Sequence, residues 1–184
     1  FPIEEVATIG KKLGIPLIVD NTAAPITCKP IKHGAAVVVH SLTKWIGGHG
    51  TSIGGIIVDG GNFDWTQFPD RQPLYNTPDP NYWGWILGKV VPEVLGANLT
   101  YIVRARFVLL RDLGSALSPT NAFNFIQGLE TLPLRFKQHQ INTEKLSDYL
   151  NNKNGVEKVI YPKLHNGIFR ERVVKYLNKG YGSL

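Results

Sequence analysis

Apolar and polar positions alternate along this chain in blocks that switch between a helical and a strand period. From Ile3 to Leu13 the pattern is that of an amphipathic helix, with Pro2 at its start and Gly14 as its C-terminal stop. Three short apolar runs follow, Pro16 to Asp20, Ala36 to His40 and Ile53 to Val58, and each predicts a strand. Helix alternating with strand argues for an α/β fold around a mostly parallel sheet flanked by helices.

The stretch from Trp65 to Trp85 is rich in proline and aromatic residues and has no period, which predicts a long loop. Its Tyr75, Tyr82, Trp83 and Trp85 can line a pocket or a subunit contact, or anchor the loop on the core. Ile102, Val103, Phe107 and Leu110 fall at helical spacing and predict a helix from about Asn98 to Leu113, ended by Gly114. Ser118 and Pro119 mark the cap and first turn of another helix through Thr131. Pro133 starts or bends a helix reaching about Asn151, and Val156 to Tyr161 predicts a strand.

Composition narrows the class. With 184 residues, 43% hydrophobic and 18% charged, the chain can bury a core, and a disordered chain is excluded. No apolar stretch approaches the roughly 20 residues needed to cross a bilayer, and no signal-peptide pattern is present. The expectation is a cytoplasmic setting without membrane association. Cys28 is the single cysteine and fits no zinc spacing, so it predicts a small buried apolar residue, with no disulfide and no metal.

The net charge of +6 resides entirely in the last segment. Up to Leu132, ten Lys and Arg face ten Asp and Glu; from Pro133 onward, ten face four. The basic residues are spaced singly without an aromatic platform, which predicts a solvated helical face and no nucleic-acid partner. Arg104, Arg106 and Arg111 either present another such face or serve a substrate carboxylate.

The candidate chemistry centres on the run His40-Ser41-Leu42-Thr43-Lys44-Trp45-Ile46-Gly47-Gly48-His49-Gly50. A lysine that closes an apolar strand, follows two hydroxyl side chains and precedes a glycine-rich loop has the surroundings of a Schiff-base lysine. A cofactor aldehyde is the partner it suggests. Pyridoxal phosphate needs an amine, donors for its phosphate and an acid partner for its ring nitrogen. Lys44 supplies the amine, Ser41 and Thr43 the hydroxyls, and Asp20, at the carboxyl end of a buried strand, the ring partner. Each residue also has a plainer reading: a solvated loop lysine, turn hydroxyls, and an aspartate capping the next turn. The glycine loop lacks G-x-G-x-x-G and Walker spacing, which argues against a nucleotide site.

In combination, Val19-Asp20-Asn21-Thr22, Val38-Val39-His40-Ser41-Leu42-Thr43-Lys44-Trp45, the stretch from Ile53 to Trp65 and the stretch from Leu117 to Arg135 resemble the Cys/Met metabolism family of pyridoxal phosphate enzymes. The resemblance runs over essentially the whole chain. It implies the fold type I architecture related to aspartate aminotransferase, with pyridoxal 5′-phosphate as cofactor. Residues 1–132 then belong to the large cofactor-binding domain, and residues 133–184 form a connecting helix and the start of a smaller C-terminal α+β domain. Lys44 takes the place of the cofactor-bearing lysine, Asp20 of the ring-nitrogen partner, Ser41 and Thr43 of phosphate contacts, and Thr22 of a residue near the ring.

Between Gly50 and Trp65 the wording is nearest to the sulfhydrylase branch. That branch implies γ-replacement, in which sulfide displaces acetate from O-acetylhomoserine to give homocysteine, by a homo-oligomer built as a dimer of dimers. Cystathionine γ-synthase, a γ-lyase and a non-catalytic remnant stay open as alternatives. Two departures stand out. The segment Ala23-Ala24-Pro25 is a residue shorter than in many members. The family's glycine-containing phosphate loop, its stacking aromatic residue and its carboxylate-binding arginine have no counterpart in these 184 residues, which implies an internal piece of a longer protein.

Overall fold

The computed structural model describes residues 1–184. Helix α1 (Ile3–Leu13) begins after Pro2 and ends on Gly14, in the left-handed conformation that its missing Cβ permits. Glu4 and Glu5 in its first turn and Lys11 and Lys12 in its last oppose the helix dipole favourably.

Strands β1 (Ile18–Asp20), β2 (Val37–Ser41) and β3 (Gly55–Asp59) form one sheet in that order. β1 and β2 are parallel, with Asp20 opposite Val39, so both strands deliver their carboxyl ends to the same edge. β2 and β3 are antiparallel, with Ser41 opposite Gly55, so the sheet is mixed rather than mostly parallel. The reason lies in the connection. No crossover helix separates β2 from β3; the chain turns through the lysine segment and the glycine loop, and a return without a crossover is antiparallel.

One face of the sheet is covered by Phe63 and Trp65, packed with Ala36 and Val37 and flanked by Val39, Tyr75 and Tyr101. The segment from Trp65 to Trp85 is thus anchored at its start. It contains helix α2 (Pro73–Asn76) and a 3-10 turn, Pro80–Tyr82. Tyr75 joins the core, while Tyr82, Trp83 and Trp85 line an apolar groove with α3 (Leu87–Leu95).

The next helix runs without interruption over residues 100–113, as α4 (Thr100–Arg104), a π-wound stretch (Ala105–Leu110) and α5 (Arg111–Leu113). Leu99 cannot cap it. Asp59 at the end of β3 does so instead, its Oδ2 accepting the Ile102 amide at 3.2 Å.

Helix α6 (Pro119–Asn151) is one element of 33 residues. Ser118 occupies the cap position and Pro119 the first turn, but the Ser118 side chain makes no capping bond. Pro133 neither starts nor ends a helix, and the division expected at 132/133 falls inside α6. A proline inside a helix costs about 3 kcal/mol. The deeply buried Leu132 and Phe136 on either side of Pro133 offset that cost by packing.

The stretch from Val156 to Tyr161 forms no strand, which corrects the strand expected there. No neighbouring strand offers it a ladder. Tyr161 holds it to the C-terminal tail instead, donating its hydroxyl to the Gly182 carbonyl at 2.8 Å. Helix α7 (Gly167–Tyr176) returns to α1. There Glu4 pairs with Lys175 at 2.5 Å and with the His33 imidazole at 2.8 Å, above a cluster of Ile3, Cys28 and Tyr176. Cys28 is a free buried thiol, as a small apolar residue would be.

Gly128 is the tightest contact in α6. A Cβ there would lie 2.5 Å from the Ile46 carbonyl oxygen and 2.6 Å from that of Gly47. Alanine ordinarily stabilises a helix interior by about 1 kcal/mol over glycine. Here backbone atoms oppose the new methyl, so Gly128→Ala is expected to destabilise by ~1–3 kcal/mol. Urea unfolding checks this; a variant as stable as the parent would show that the turn at Ile46–Gly47 can retreat from the helix.

Candidate active site

β2 ends at Ser41 and the chain passes directly into a π-wound turn, Leu42–Ile46, that departs from helical geometry at Lys44. Leu42 and Ile46 of this turn are buried against Phe125, Leu132 and Phe136 of α6, and Ile26 and Trp45 pack on the cluster. Two apolar residues four apart thus hold the turn down, leaving Lys44 between them on the open side. The Gly48 amide closes the turn by donating to the Lys44 carbonyl at 2.8 Å.

Lys44 lines a cleft of about 730 Å³ together with Asp20, Thr22, Ala23, Trp45, Gly48, Arg135, His139 and Leu184. Parallel pairing of β1 and β2 is what brings Asp20 and the lysine turn to the same edge. Thr22 fastens the two strand ends together. Its amide donates to Asp20 Oδ1 at 2.9 Å, and its hydroxyl accepts the Ser41 amide at 2.8 Å. Buried Asn21 fixes the following loop, donating from Nδ2 to the Ala24 and Cys28 carbonyls at 3.2 and 3.1 Å.

The electrostatics favour an ionised Asp20. The Thr22 side chain beside it, and then the Thr22 amide that donates to Oδ1, hold the Asp20 carboxyl below the usual carboxylate range. His40 is a neighbour with the opposite tendency. Burial pushes its imidazole below the ordinary histidine value, against a weaker pull from Asp20.

Of the residues singled out in the sequence, the structure brings Lys44, Asp20 and Thr22 into one cleft. Ser41 and Thr43 are not among its lining residues. The Thr43 hydroxyl faces the glycine loop, accepting the Gly54 amide at 3.1 Å. Ser41 is half-buried, and its amide donates to the Thr22 hydroxyl. Arg104, Arg106 and Arg111 lie apart from the cleft, and Arg111 pairs with its neighbour Asp112 at 2.9 Å.

Arg135 and His139 were not foreseen. The signal is in α6: Phe125, Gly128, Leu132, Arg135 and His139 follow the three- and four-residue spacing of one helical face. His139 meets the Trp45 ring edge-on at a centroid distance of 5.0 Å.

The donor set fits an aldehyde cofactor with a basic ring nitrogen: one amine, one ionised carboxylate and space between them in an open cleft. An amine without the carboxylate would leave the ring nitrogen unpartnered.

The sequence model of the family described as Cys/Met metabolism PLP-dependent enzyme matches residues 1–183. The chain is 46% identical over 183 residues to the homocysteine/cysteine synthase of Saccharomyces cerevisiae, covering 98% of this chain and 40% of the relative. It is 45% identical over 183 residues to the O-acetyl-L-homoserine sulfhydrylase of Leptospira meyeri, covering 97% and 41%. Among solved structures, an O-acetylhomoserine (thiol)-lyase of Campylobacter jejuni, determined with N′-pyridoxyl-lysine-5′-monophosphate, superposes with a TM-score of 0.84 at 36% identity. That match covers 98% of this chain and 44% of the other. The chain thus spans about two fifths of the length of the curated relatives it matches.

Fold and site define an α/β protein of the pyridoxal phosphate fold type I class. The chain belongs to the Cys/Met metabolism PLP-dependent enzyme family.

The Thr22 hydroxyl generates a prediction. In Thr22→Val the Asp20 carboxyl loses the side-chain oxygen that lowers it most, and its titration midpoint is expected to rise toward the ordinary carboxylate value. Carbon-detected NMR titration of the Asp20 carboxyl reads this directly. Because the folded-state value is depressed, Asp20's contribution to stability is full above the ordinary range and is lost as pH falls through the depressed midpoint. An unmoved midpoint would assign the depression to the backbone amide alone.

Proposed function

We propose that this chain forms the cofactor-binding part of a pyridoxal phosphate-dependent O-acetylhomoserine sulfhydrylase, which makes homocysteine and acetate from O-acetylhomoserine and sulfide. The observation that carries the proposal is the convergence of Lys44 and an ionised Asp20 in one cleft at the carboxyl ends of β1 and β2. The names of the yeast and Leptospira relatives support the substrate assignment.

In this reading Lys44 would hold the cofactor through its amine, and the same amine would move protons at the substrate Cα and Cβ. Asp20 keeps the ring nitrogen protonated, and its low titration range suits that role, since it stays ionised at neutral pH. Bound pyridoxal phosphate supplies an electron sink for the carbon that loses its proton. Thr22 would orient Asp20 beside the ring, and Ser41 and Thr43 would serve as phosphate contacts. The Thr43 hydroxyl would serve while also bonding the Gly54 peptide. At the substrate Cγ, the C–O bond to acetate breaks and a C–S bond from sulfide forms.

The proposal includes the division into a cofactor-binding part, residues 1–132, and a connecting helix with the start of a second domain, residues 133–184. It also includes a cytoplasmic setting and a dimer of dimers. A single free cysteine is compatible with a reducing compartment.

Borohydride reduction of the full-length protein with its cofactor, followed by peptide mapping, is expected to place the pyridoxyl group on Lys44. An adduct confined to other lysines would overturn the assignment. Replacing Asp20 with Ala is expected to lower turnover of O-acetylhomoserine and sulfide by about 100-fold or more with the fold retained, on the scale of a lost acid–base group. Near-parent turnover in a folded Asp20→Ala protein would move the ring partner elsewhere.

A further inference from the structure

We propose that Arg135 is a positioning residue that holds the Lys44 turn in register against α6; the inference rests on Lys44 being the cofactor-bearing lysine. The turn Leu42–Ile46 faces the difficulty of any helical end, namely carbonyls without intrahelical partners. The Lys44 carbonyl is satisfied by the Gly48 amide at 2.8 Å. Those of Trp45 and Ile46 have the Arg135 guanidinium instead, which donates from Nη1 to Trp45 at 3.0 Å and from Nη2 to Ile46 at 3.3 Å.

The same guanidinium is anchored on its own helix. Nη2 donates to the Gly128 carbonyl at 2.8 Å and Nε to the Thr131 hydroxyl at 3.1 Å. Four of its five N–H groups are therefore committed, two to the lysine turn and two to α6. A planar fork can serve acceptors on both sides at once, whereas a lysine ammonium has no fixed fork. This commitment also separates Arg135 from a substrate-binding role, although it lines the cleft. A carboxylate would have to compete with four existing bonds.

Gly48 shows how closely the clamp fits. It adopts φ 78°, and a Cβ there would lie 2.4 Å from Arg135 Nη1, so the glycine after the turn leaves the space the guanidinium fills. Gly128, on the facing side, has no room for a methyl against the Ile46 and Gly47 carbonyls. The turn is thus gripped between two glycines and one guanidinium, on the residues immediately following Lys44.

The test uses the full-length protein with Arg135→Ala and Arg135→Lys. Hydrogen exchange at the Gly47 and Gly48 amides, which bond to the Leu42 and Lys44 carbonyls, reads the turn locally with the cofactor removed. Circular dichroism in the cofactor's absorption band reads how rigidly the loaded lysine is held. For Arg135→Ala we expect exchange at these amides to accelerate by about tenfold or more and the dichroic band to fall by about half, with methylguanidine restoring part of both. Arg135→Lys should give smaller changes in the same direction, and it carries the test alone if Arg135→Ala does not fold.

Parent-like exchange at Gly47 and Gly48 would overturn the clamp. Faster exchange with an unchanged dichroic band would also overturn the proposal, because Arg135 would then be a packing residue that leaves the lysine's orientation untouched. Adduct mapping is separate from both readouts: an adduct off Lys44 refutes the function proposed above, whereas exchange in the cofactor-free protein refutes or supports the clamp itself.

Discussion

The seating of the lysine turn on α6 is the contact that the rest of the site depends on. A turn of this kind has few internal hydrogen bonds and a reactive side chain that must stay in the open, so its conformation has to be imposed from outside. Leu42 and Ile46 supply the apolar part by burial against Phe125, Leu132 and Phe136. Burying two such side chains is worth roughly 3–6 kcal/mol before entropy is counted. Close approach is possible because Gly128 lets backbone meet backbone, and the Arg135 bonds then satisfy the carbonyls that this approach would otherwise bury without partners. Packing thus brings the turn to the helix, and hydrogen bonding fixes its register.

A second constraint joins the turn to the sheet. Lys44 follows β2 and Asp20 ends β1, and parallel pairing aligns the two ends at one edge. Alignment of backbones alone would leave both side chains free to swing. Thr22 removes part of that freedom, its hydroxyl accepting from Ser41 on one side and its amide donating to the Asp20 carboxylate on the other. The residue that ties the strand ends together thus also holds the Asp20 carboxyl below the usual carboxylate range.

The sequence carried the α/β class, helix α1 with its stop at Gly14 and the three strands to within about two residues, because each rests on a local period and a terminal glycine or proline. Two separate strand-end stretches, Val19-Asp20-Asn21-Thr22 and His40-Ser41-Leu42-Thr43-Lys44, also marked Asp20, Thr22 and Lys44, which the fold brings into one cleft. What the sequence obscured is tertiary. The direction of β3 depends on how the lysine turn reverses the chain, and no property of Gly55–Asp59 alone encodes that. Pro133 is a strong local signal for a break, yet the stripe of Phe125, Gly128, Leu132 and Phe136 continues its spacing across the proline, and packing prevails. The unpaired stretch before Tyr161 has strand-like composition but no ladder partner. Arg135 was hidden because its four acceptors are carbonyls and a hydroxyl spread over residues 45–131, which no motif spacing records.

The far wall of the cleft follows from the same long helix. α6 carries the chain past the lysine turn, where Arg135 and His139 face the cleft, and then away from it. The chain returns through α7, which docks on α1 by the Glu4–Lys175 pair and the burial of Tyr176 beside Ile3 and Cys28. Exposed ion pairs of this kind contribute little by themselves, so the apolar cluster carries the docking and the charges select its orientation. From that anchored position the tail is held by two further contacts, Tyr161 to the Gly182 carbonyl at 2.8 Å and Arg170 to the Tyr181 hydroxyl at 3.3 Å, and Leu184 comes to lie against the cleft. The cleft is therefore bounded by three parts of the chain distant in sequence: the strand ends, the middle of α6 and the tail. Only the first of these carries Lys44 and Asp20, so the other two can change the shape of the space beside them without touching either residue.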